Sequence, residues 1–324
     1  MKLFIIKNII FLSIITCLVA CLIYLTPPAI VDKDSFMAIL IDKHRIADSI
    51  KTPKIILVGG SNLSFGIDSK MLRKGLNLPT ANMGLHAGVG LDFMLNQAKN
   101  VAKKNDVIFL SVEYFISKGH YDLLQHTGSI FPKTKLFYQE SLFLEVQEYI
   151  KTYQESYKNL VDKYLNKADK KSITKTPNKI NVYSRQAANE DADVVAHLEE
   201  PAREIVFSGI WKYKYWDEIA TLNVFAKYAK ENQIKVFFFF PTCSEKQFLS
   251  NKTTLLLLEK SLKENLEIPI LNTPEQFVYP NSYFFDTNYH LNKIGRAKRT
   301  EDMINIVKKN EKVMEHLNYM QTLQ

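Results

Sequence analysis

The sequence predicts an α/β protein in which a doubly wound, five-stranded parallel sheet carries helices on both faces. Short apolar runs of strand length alternate with helix-length amphipathic segments, a pattern typical of such sheets. The runs "VIFL" and "VFFFF" are continuously apolar, as expected for strands that are covered on both faces. A longer apolar run at the N-terminus predicts one membrane helix ahead of the sheet domain.

Each predicted element follows from this alternation. The strands are predicted at residues 54–59, 80–84, 106–112, 234–240 and 268–272. The helices are predicted at residues 70–75, 91–104, 216–232 and 253–265, with a last helix over residues 293–316. A short amphipathic stretch at residues 34–50 precedes the first strand.

One long insertion, at about residues 116–212, interrupts the pattern. Its first part, residues 141–165, has helical spacing, whereas residues 166–200 are polar and indicate a loop. We expect the insertion to form a cap or lid over one edge of the sheet. The predicted organisation is thus an N-terminal anchor over residues 1–30 and a domain over residues 31–324 that carries the insertion.

The N-terminal segment has the features of a membrane anchor. Lys2 and Lys7 precede an apolar run from Ile9 to Leu25, which is just long enough to cross a hydrocarbon core. Basic residues on this side predict a cytoplasmic N-terminus and an extracytoplasmic domain, held by a single pass through the cytoplasmic (inner) membrane.

Two alternatives for this segment stay open. A cleaved signal peptide would have a shorter apolar region that ends at small residues. The tetrapeptide "LVAC" resembles a bacterial lipobox, which would make Cys21 a lipidated N-terminus, although apolar "LIYL" follows Cys21 where a polar tether is expected. All three readings place most of the chain outside the cytoplasmic membrane.

Composition excludes several classes of protein. The chain has 324 residues, of which 46% are hydrophobic, and a formal net charge of +8, so a large core is expected and disorder is not. The 42 basic residues are scattered among 34 acidic ones, which does not indicate a nucleic-acid partner. Three cysteines exclude a disulfide framework. The histidines show no ligand spacing and the glycine-containing turns are not a dinucleotide fingerprint, so neither a metal nor an organic cofactor is expected.

The candidate chemistry lies where the predicted strands end. Loops at the carboxyl ends of parallel strands line the crevice in which ligands bind. The residues delivered there are Gly60, Ser61, Asn62, residues 84–86, Glu113, Tyr114 and residues 241–244. Ser61 is the candidate nucleophile, because two glycines before it permit a tight turn with an exposed hydroxyl. The alternative is that Ser61 caps the next helix.

A second signal lies in "DTNYHLNKIG", near the end of the chain. Asp286 and His290 stand four residues apart and could meet on one turn, with the acid holding the imidazole in its base-competent tautomer. They would complete Ser61 as a triad. A lone histidine in a loop is more often an ordinary surface residue, so this inference depends on the combined order of the three residues.

These blocks, "GGSN" with "NMG", "DVIFLSVEY" and "DTNYHLNKIG", resemble the SGNH (GDSL-like) hydrolase superfamily. More narrowly, they resemble its membrane-anchored members that accompany membrane-bound O-acyltransferases in cell-surface glycan acylation. The resemblance covers residues 54–115 and 234–310 and implies a flavodoxin-like sheet. It implies Ser61 as nucleophile, His290 as general base, and the N–H groups of Ser61 and Gly84 as oxyanion donors.

Two positions depart from the family pattern. Glu113 stands where the family usually has an asparagine that donates to the oxyanion, and an ionised carboxylate cannot donate. The acid of most members lies three residues before the histidine, where this chain has Thr287. We assign the acid role to Asp286, because only a carboxylate stabilises the imidazolium. Asn62, His86, Glu113 and Tyr114 are candidate substrate-binding residues, and a structural role for His86 is an equal alternative.

The resemblance implies acyl transfer, with acetyl as the acyl group, to or from hydroxyls of an extracytoplasmic polysaccharide. It also implies a membrane-bound O-acyltransferase as partner, since an outward-facing enzyme has no access to cytoplasmic acyl thioesters. One alternative is a glycan esterase or deacetylase of the same fold. Another is a non-catalytic protein that binds glycan or the acyltransferase, which Glu113 and the displaced acid would favour.

Overall fold

A computed structural model describes residues 2–25, 32–138, 180–201, 203–205 and 209–324, together with residues 150, 154, 157 and 158. The chain divides into two compact units. One consists of residues 1–31 and 139–178, and the other of residues 32–138 and 179–324. Helix α1 (Lys2–Leu25) belongs to the first unit, and the sheet belongs to the second.

Helix α1 is long and apolar enough to cross a membrane. The candidate span, Lys2–Cys21, has a mean hydropathy of 2.4 and buries none of its surface within the protein. Apolar side chains along this span, such as Leu3, Phe11 and Val19, are exposed. This length and composition fit either a membrane anchor or a signal sequence.

Four parallel strands form the sheet in the described part of the chain, in the order β2-β1-β3-β4. They are β1 (Ile55–Gly59), β2 (Thr80–Asn82), β3 (Val107–Ser111) and β4 (Lys235–Phe238). Strand β1 pairs with both β2 and β3, and β3 pairs with β4. The prediction of a parallel sheet flanked by helices is therefore confirmed.

The predicted fifth strand, residues 268–272, does not extend the sheet. This run meets β4 at a single parallel bridge between Phe238 and Ile270. The Phe238 N–H donates to the Pro269 carbonyl at 2.9 Å, and the Leu271 N–H donates to the Phe238 carbonyl at 2.9 Å. Pro269 has no N–H, so this residue cannot donate a further bond to the ladder. A separate parallel pair consists of β5 (Cys243–Ser244) and β6 (Val278–Tyr279).

Both faces of the sheet are covered, as the continuous apolar runs predict. Alternate residues of β1, such as Ile55 and Ile56, belong to different buried clusters. The cluster around Ile56 includes side chains of α2 (Ile39–Ser49), α5 (Gly90–Val101), α7 (Glu218–Glu231) and α8 (Glu245–Asn265). The cluster around Ile55 includes side chains of α4 (Ser69–Leu76), α9 (Lys293–Lys309) and α10 (Glu311–Thr322). Two short helices, α3 (Ser61–Ser64) and α6 (Tyr121–Ile130), complete the described set.

Two predicted helices have different limits in the structure. The helix predicted at residues 253–265 already begins at Glu245, because the Ser244 side chain caps it by accepting the Gln247 N–H at 3.4 Å. The predicted last helix is broken into two. Asn310 starts the second of them by accepting the N–H of Val313 at 3.2 Å.

Part of the predicted insertion is an integral element of the sheet unit. The predicted helix at residues 141–165 lies outside the described residues, apart from a few isolated positions. Residues 180–200, predicted as a polar loop, bring Asp193 to a fully buried place. Its carboxylate accepts hydrogen bonds from Ser69, Asn82 and Arg296 at 2.8 to 3.0 Å. The role of the insertion as a lid stays a prediction.

Candidate active site

Ser61 lies at the carboxyl end of β1, where α3 begins. Its side chain is partly exposed. A Cβ at Gly59 would overlap the Ser111 backbone carbonyl, so this position requires glycine, and a Cβ at Gly60 would displace the Glu113 carboxylate. The turn therefore packs directly against the end of β3 and presents Ser61 at the edge of the sheet.

Glu113 lies beside this turn and is 5% exposed. Its Oε1 accepts the Asn62 N–H at 2.9 Å and the Ser61 hydroxyl at 3.4 Å. Its Oε2 is buried and has no hydrogen-bond partner among the described residues. The Ser61 hydroxyl thus points to an acceptor at the place where the family resemblance implies an oxyanion donor.

Arg299 of α9 holds the Ser61 turn in place through hydrogen bonds. Its guanidinium donates to the Asn62 carbonyl, to Asn62 Oδ1 at 2.7 Å and to Ser111 Oγ at 3.2 Å. The side chain is 1% exposed, and burial lowers the pKa of Arg299 to about 10. Asn62 also donates through Nδ2 to the Ser111 carbonyl at 3.0 Å. With these bonds, Asn62 is a structural part of the turn, and its predicted contact with substrate is untested.

His290 and Asp286 contact each other in the turn before α9. The distance between His290 Nδ1 and Asp286 Oδ1 is 2.8 Å, and the two side chains are 8% and 12% exposed. Burial by itself would raise the pKa of Asp286, but hydrogen bonds from His290 and Tyr183 outweigh burial and lower it. Asp286 is therefore ionised at neutral pH and can accept the Nδ1 proton, which leaves Nε2 of neutral His290 as the basic nitrogen.

Thr287 stands where most members of the resembled family have their acid. Its hydroxyl oxygen accepts the backbone N–H of His290 at 3.1 Å and that of Tyr289 at 3.2 Å. Thr287 thus shapes the turn that carries the histidine, and the carboxylate on the imidazole comes from the residue before it.

Phe65 connects the histidine to the Ser61 turn. Its ring stacks on the His290 imidazole, with centroids 4.0 Å apart and an interplanar angle of 8°. The Phe65 N–H donates to the Ser61 carbonyl at 3.0 Å, so the two residues lie one helical turn apart and on the same side. The imidazole therefore packs against the residue that directly follows α3, the short helix that begins with Ser61.

Gly84 lies against the same turn. A Cβ on this glycine would overlap the side chain of Leu63. Its N–H, which the family resemblance implies as an oxyanion donor, donates to Asn82 Oδ1 at 3.1 Å. This N–H has to exchange or share that partner before it can bind a substrate oxygen.

The remaining predicted site residues have separate environments. His86 is exposed, and its Nδ1 accepts the Gly88 N–H at 2.9 Å, so the neutral ring carries its proton on Nε2. Tyr114 is 9% exposed and packs against Trp211 and Phe240 at centroid distances of 5.8 and 6.3 Å. Burial raises the pKa of the Cys243 thiol to about 12, which disfavours the thiolate. Within the part of the chain that the structure describes, no group of His, Cys, Asp or Glu side chains could hold a metal ion.

Sequence reasoning missed two residues that support the dyad. Phe65 reads as an ordinary apolar residue, and nothing in its neighbourhood marks it as the platform of a histidine. Tyr183 lies in the insertion, yet its hydroxyl donates to Asp286 Oδ2 at 2.5 Å. The sequence carries no signal for this contact, because 103 positions separate the two residues.

Comparisons with known proteins give a distant likeness. No family model matches the chain, and no curated protein matches it. Among solved structures, the chain is similar to one from Desulfitobacterium hafniense DCB-2 that is described as a lipolytic protein of the G-D-S-L family. The two chains are 11% identical, with a TM-score of 0.35, and the likeness covers 78% of this chain and 98% of the other. At this level of likeness, the chemistry of the site has to be inferred from the side chains of this chain.

Proposed function

We propose that this protein carries out serine-dependent acyl chemistry, in which an acyl group, acetyl in the simplest case, moves to or from hydroxyls of an extracytoplasmic polysaccharide. The observation that carries the proposal is the His290–Asp286 pair at 2.8 Å, whose imidazole stacks on Phe65, the residue one helical turn after Ser61. A serine close to an imidazole that a carboxylate orients is the arrangement of an activated nucleophile, and we propose that Ser61, His290 and Asp286 form it.

In the first step, the Ser61 hydroxyl exchanges its bond to Glu113 for a bond to His290. Its present bond to Glu113 is 3.4 Å long, which is weak for an O–H donor, so losing it costs little. His290 then accepts the proton through Nε2 as Ser61 attacks the ester carbonyl, and Asp286 stabilises the imidazolium that forms. The acyl group is left on Ser61, and the alcohol leaves with the proton that His290 returns.

The second step decides between transfer and hydrolysis. A sugar hydroxyl that enters the site takes the acyl group, whereas water releases it as free acid. In the proposed cellular role, helix α1 anchors the protein, and a membrane-bound O-acyltransferase hands acyl groups across the membrane. The apolar window of α1, with its mean hydropathy of 2.4, supports the anchor.

Labelling with a fluorophosphonate probe tests the proposal on the full-length protein in detergent. We expect the wild-type protein to be labelled, and Ser61→Ala and His290→Gln to lose the signal. Ser129→Ala, which changes an exposed serine of α6, is the matched control and should label normally. A wild-type protein that stays unlabelled, or a Ser61→Ala variant that labels normally, would overturn the proposed chemistry.

Acetylated oligosaccharides then separate transfer from esterase activity. The wild-type protein, if it reacts with the probe, is incubated with an acetylated donor and an unmodified acceptor sugar. We expect acetylated acceptor, detected by mass spectrometry. Free acetate as the sole product would assign the esterase alternative instead.

A second candidate function is a non-catalytic protein that binds glycan or a membrane acyltransferase. The observation that favours it is the Glu113 carboxylate, which holds the Ser61 hydroxyl and occupies the place of a donor. Under this alternative, the probe does not label the protein, and cells that carry the Ser61→Ala variant acylate their glycan normally.

A further inference from the structure

We propose that Tyr183, from the insertion, is a positioning residue that holds Asp286 in place for His290. The inference rests on the proposed function, because it assigns to Tyr183 a role in the same acyl-transfer site. It adds a residue that neither the family resemblance nor the spacing of the site motifs implies.

The two oxygens of the Asp286 carboxylate have different partners. Oδ1 lies 2.8 Å from His290 Nδ1, and Oδ2 accepts the Tyr183 hydroxyl at 2.5 Å. The Tyr183 oxygen is also 3.4 Å from His290 Nδ1. A carboxylate held at both oxygens cannot turn freely about its last bond, so the oxygen that faces the imidazole stays fixed.

The ring of Tyr183 is itself held on two sides. It packs edge-on against Phe36 at a centroid distance of 5.7 Å and, tilted, against Phe65 at 5.8 Å. Phe65 is also the residue that stacks on His290. One aromatic cluster therefore sets the position of both the imidazole and the tyrosine that holds its acid.

The backbone around Tyr183 is tied to the body of the sheet unit. The next residues contribute a bridge between Ser184 and Ser35 and a hydrogen bond from the Arg185 N–H to the Asp34 carbonyl at 2.9 Å. The Arg185 guanidinium donates to both carboxylate oxygens of Asp42, at 2.7 and 3.0 Å. A bidentate pair of this kind fixes direction as well as distance, so Tyr183 is placed on an anchored segment.

The charge state of Tyr183 suits a donor. Burial of the hydroxyl, together with the neighbouring Asp286, raises the pKa of Tyr183 above its ordinary value, so the hydroxyl keeps its proton at neutral pH. The other charged or titratable groups that act on Asp286 and Tyr183 are His290, Arg203 and His197. Of these, Arg203 lies over the Phe285 ring at 4.7 Å, and burial lowers the pKa of His197 to about 4, which keeps it neutral.

Tyr183→Phe isolates the hydroxyl, because it keeps the ring and its packing. Tyr319→Phe makes the same chemical change on an exposed tyrosine of α10 and is the matched control. The first readout is the rate of fluorophosphonate labelling of the full-length protein in detergent, measured between pH 5 and pH 9. Removing the donor leaves the carboxylate more basic, so it stabilises the imidazolium more strongly.

We expect Tyr183→Phe to lower the plateau rate about tenfold and to move the acid limb of the profile upward by about 0.5 pH unit. Tyr319→Phe should give the wild-type profile. Either a wild-type profile for Tyr183→Phe or a slower rate with an unmoved acid limb would overturn the positioning role, since a purely structural residue lowers the amount of folded protein without moving a titration.

A second readout needs no turnover and separates this inference from the proposed function. The ¹³C signal of the Asp286 carboxyl, assigned by its loss in Asp286→Asn, is titrated in the wild-type protein and in Tyr183→Phe. We expect a higher Asp286 pKa in the variant. If the Asp286 pKa shifts in a protein that the probe never labels, the proposed serine chemistry is overturned and the inference about Tyr183 stands. If the Asp286 pKa does not shift, the inference about Tyr183 is overturned, whether or not the probe labels the protein.

Discussion

The Ser61 hydroxyl donates to the Glu113 carboxylate at 3.4 Å, beside the Asn62 N–H that donates to the same oxygen at 2.9 Å. This relationship has two effects on acyl chemistry. It gives the resting serine an acceptor other than the imidazole, and it puts a negative group close to where an oxyanion would develop. Oxyanion stabilisation usually supplies the largest single contribution to such catalysis, so Glu113 is the residue whose substitution is most informative.

Replacing Glu113 with glutamine should speed acylation of Ser61. The amide has the same shape, can keep an oxygen for the Asn62 N–H, and adds an N–H donor that the carboxylate lacks. We expect the fluorophosphonate labelling rate to rise on the order of tenfold, as the gain of a donor predicts. Glu301→Gln, on the exposed face of α9, is the control. A rate equal to or below the wild-type rate would show that Glu113 does not oppose the oxyanion.

Replacing Phe65 with leucine should slow labelling more than it destabilises the fold. Leucine fills much of the space but gives His290 no flat surface to stack on, so the imidazole loses its orientation. We expect a labelling rate about tenfold lower and a stability loss of about 1 to 2 kcal/mol. Phe109→Leu, in the buried core of β3, should cost similar stability and leave labelling unchanged. Equal labelling in the two variants would contradict the role of the stack.

Asp106→Asn should strongly destabilise the sheet unit. Asp106 pairs with Lys54 at 2.9 Å, and the two side chains are 1% and 0% exposed. Removing one partner leaves the other charge buried and uncompensated, which costs about 3 to 5 kcal/mol. The measurement is denaturant unfolding of the full-length protein. Lys260→Ala, which breaks the exposed pair with Glu264, should change stability by less than about 1 kcal/mol; comparable losses would contradict the prediction.

The folded protein should lose stability as pH falls from about 6.5 to about 4. Burial lowers the pKa of His44 to about 4, whereas the same side chain titrates near 6.5 when unfolded. Between these values only the unfolded chain binds the proton, so the stability present above pH 6.5 is lost on acidification, on the order of 2 to 3 kcal/mol for this group. His197 should also reduce the stability of the folded protein on acidification, since burial lowers its pKa to about 4 as well.

His44→Phe tests this origin of the acid sensitivity. The ring of His44 stacks on Phe137 at 5.6 Å, and phenylalanine keeps that packing while it removes the titration. Unfolding free energies measured in urea between pH 4 and 7 should therefore depend less on pH than in the wild-type protein. His126→Phe changes an exposed histidine and should keep the full pH dependence. Parallel curves for the wild-type protein and His44→Phe would contradict the assignment.

The strands were predictable because a strand that is buried on both faces consists of a continuous run of apolar residues. Runs such as the apolar residues of β1 and β3 have no polar position to suggest a solvent face. The fifth strand failed because a run with the right composition also needs N–H groups at the right places, and Pro269 lacks one. The early start of α8 was visible in Ser244 followed by Glu245, a capping signal. The break at Asn310 was visible in the same way.

The candidate site was predictable only where residues lie close in sequence. The contact between Asp286 and His290 follows from their spacing of four residues, and the turn at Ser61 follows from its two glycines. The contributions of Phe65, Arg299 and Tyr183 come from tertiary packing, which no local pattern encodes. The catalytic roles of Ser61, Asp286 and His290 stay predictions until labelling is measured.

The buried carboxylate of Asp193 has a consequence for how the chain is assembled. Its partners Ser69, Asn82 and Arg296 lie 124, 111 and 103 positions away along the chain. Forming contacts over such separations costs loop-closure entropy before the contacts stabilise the chain, which slows folding. A nascent chain that ends before Arg296 would keep the Ser69 and Asn82 donors but would lack the guanidinium that pairs with the Asp193 carboxylate.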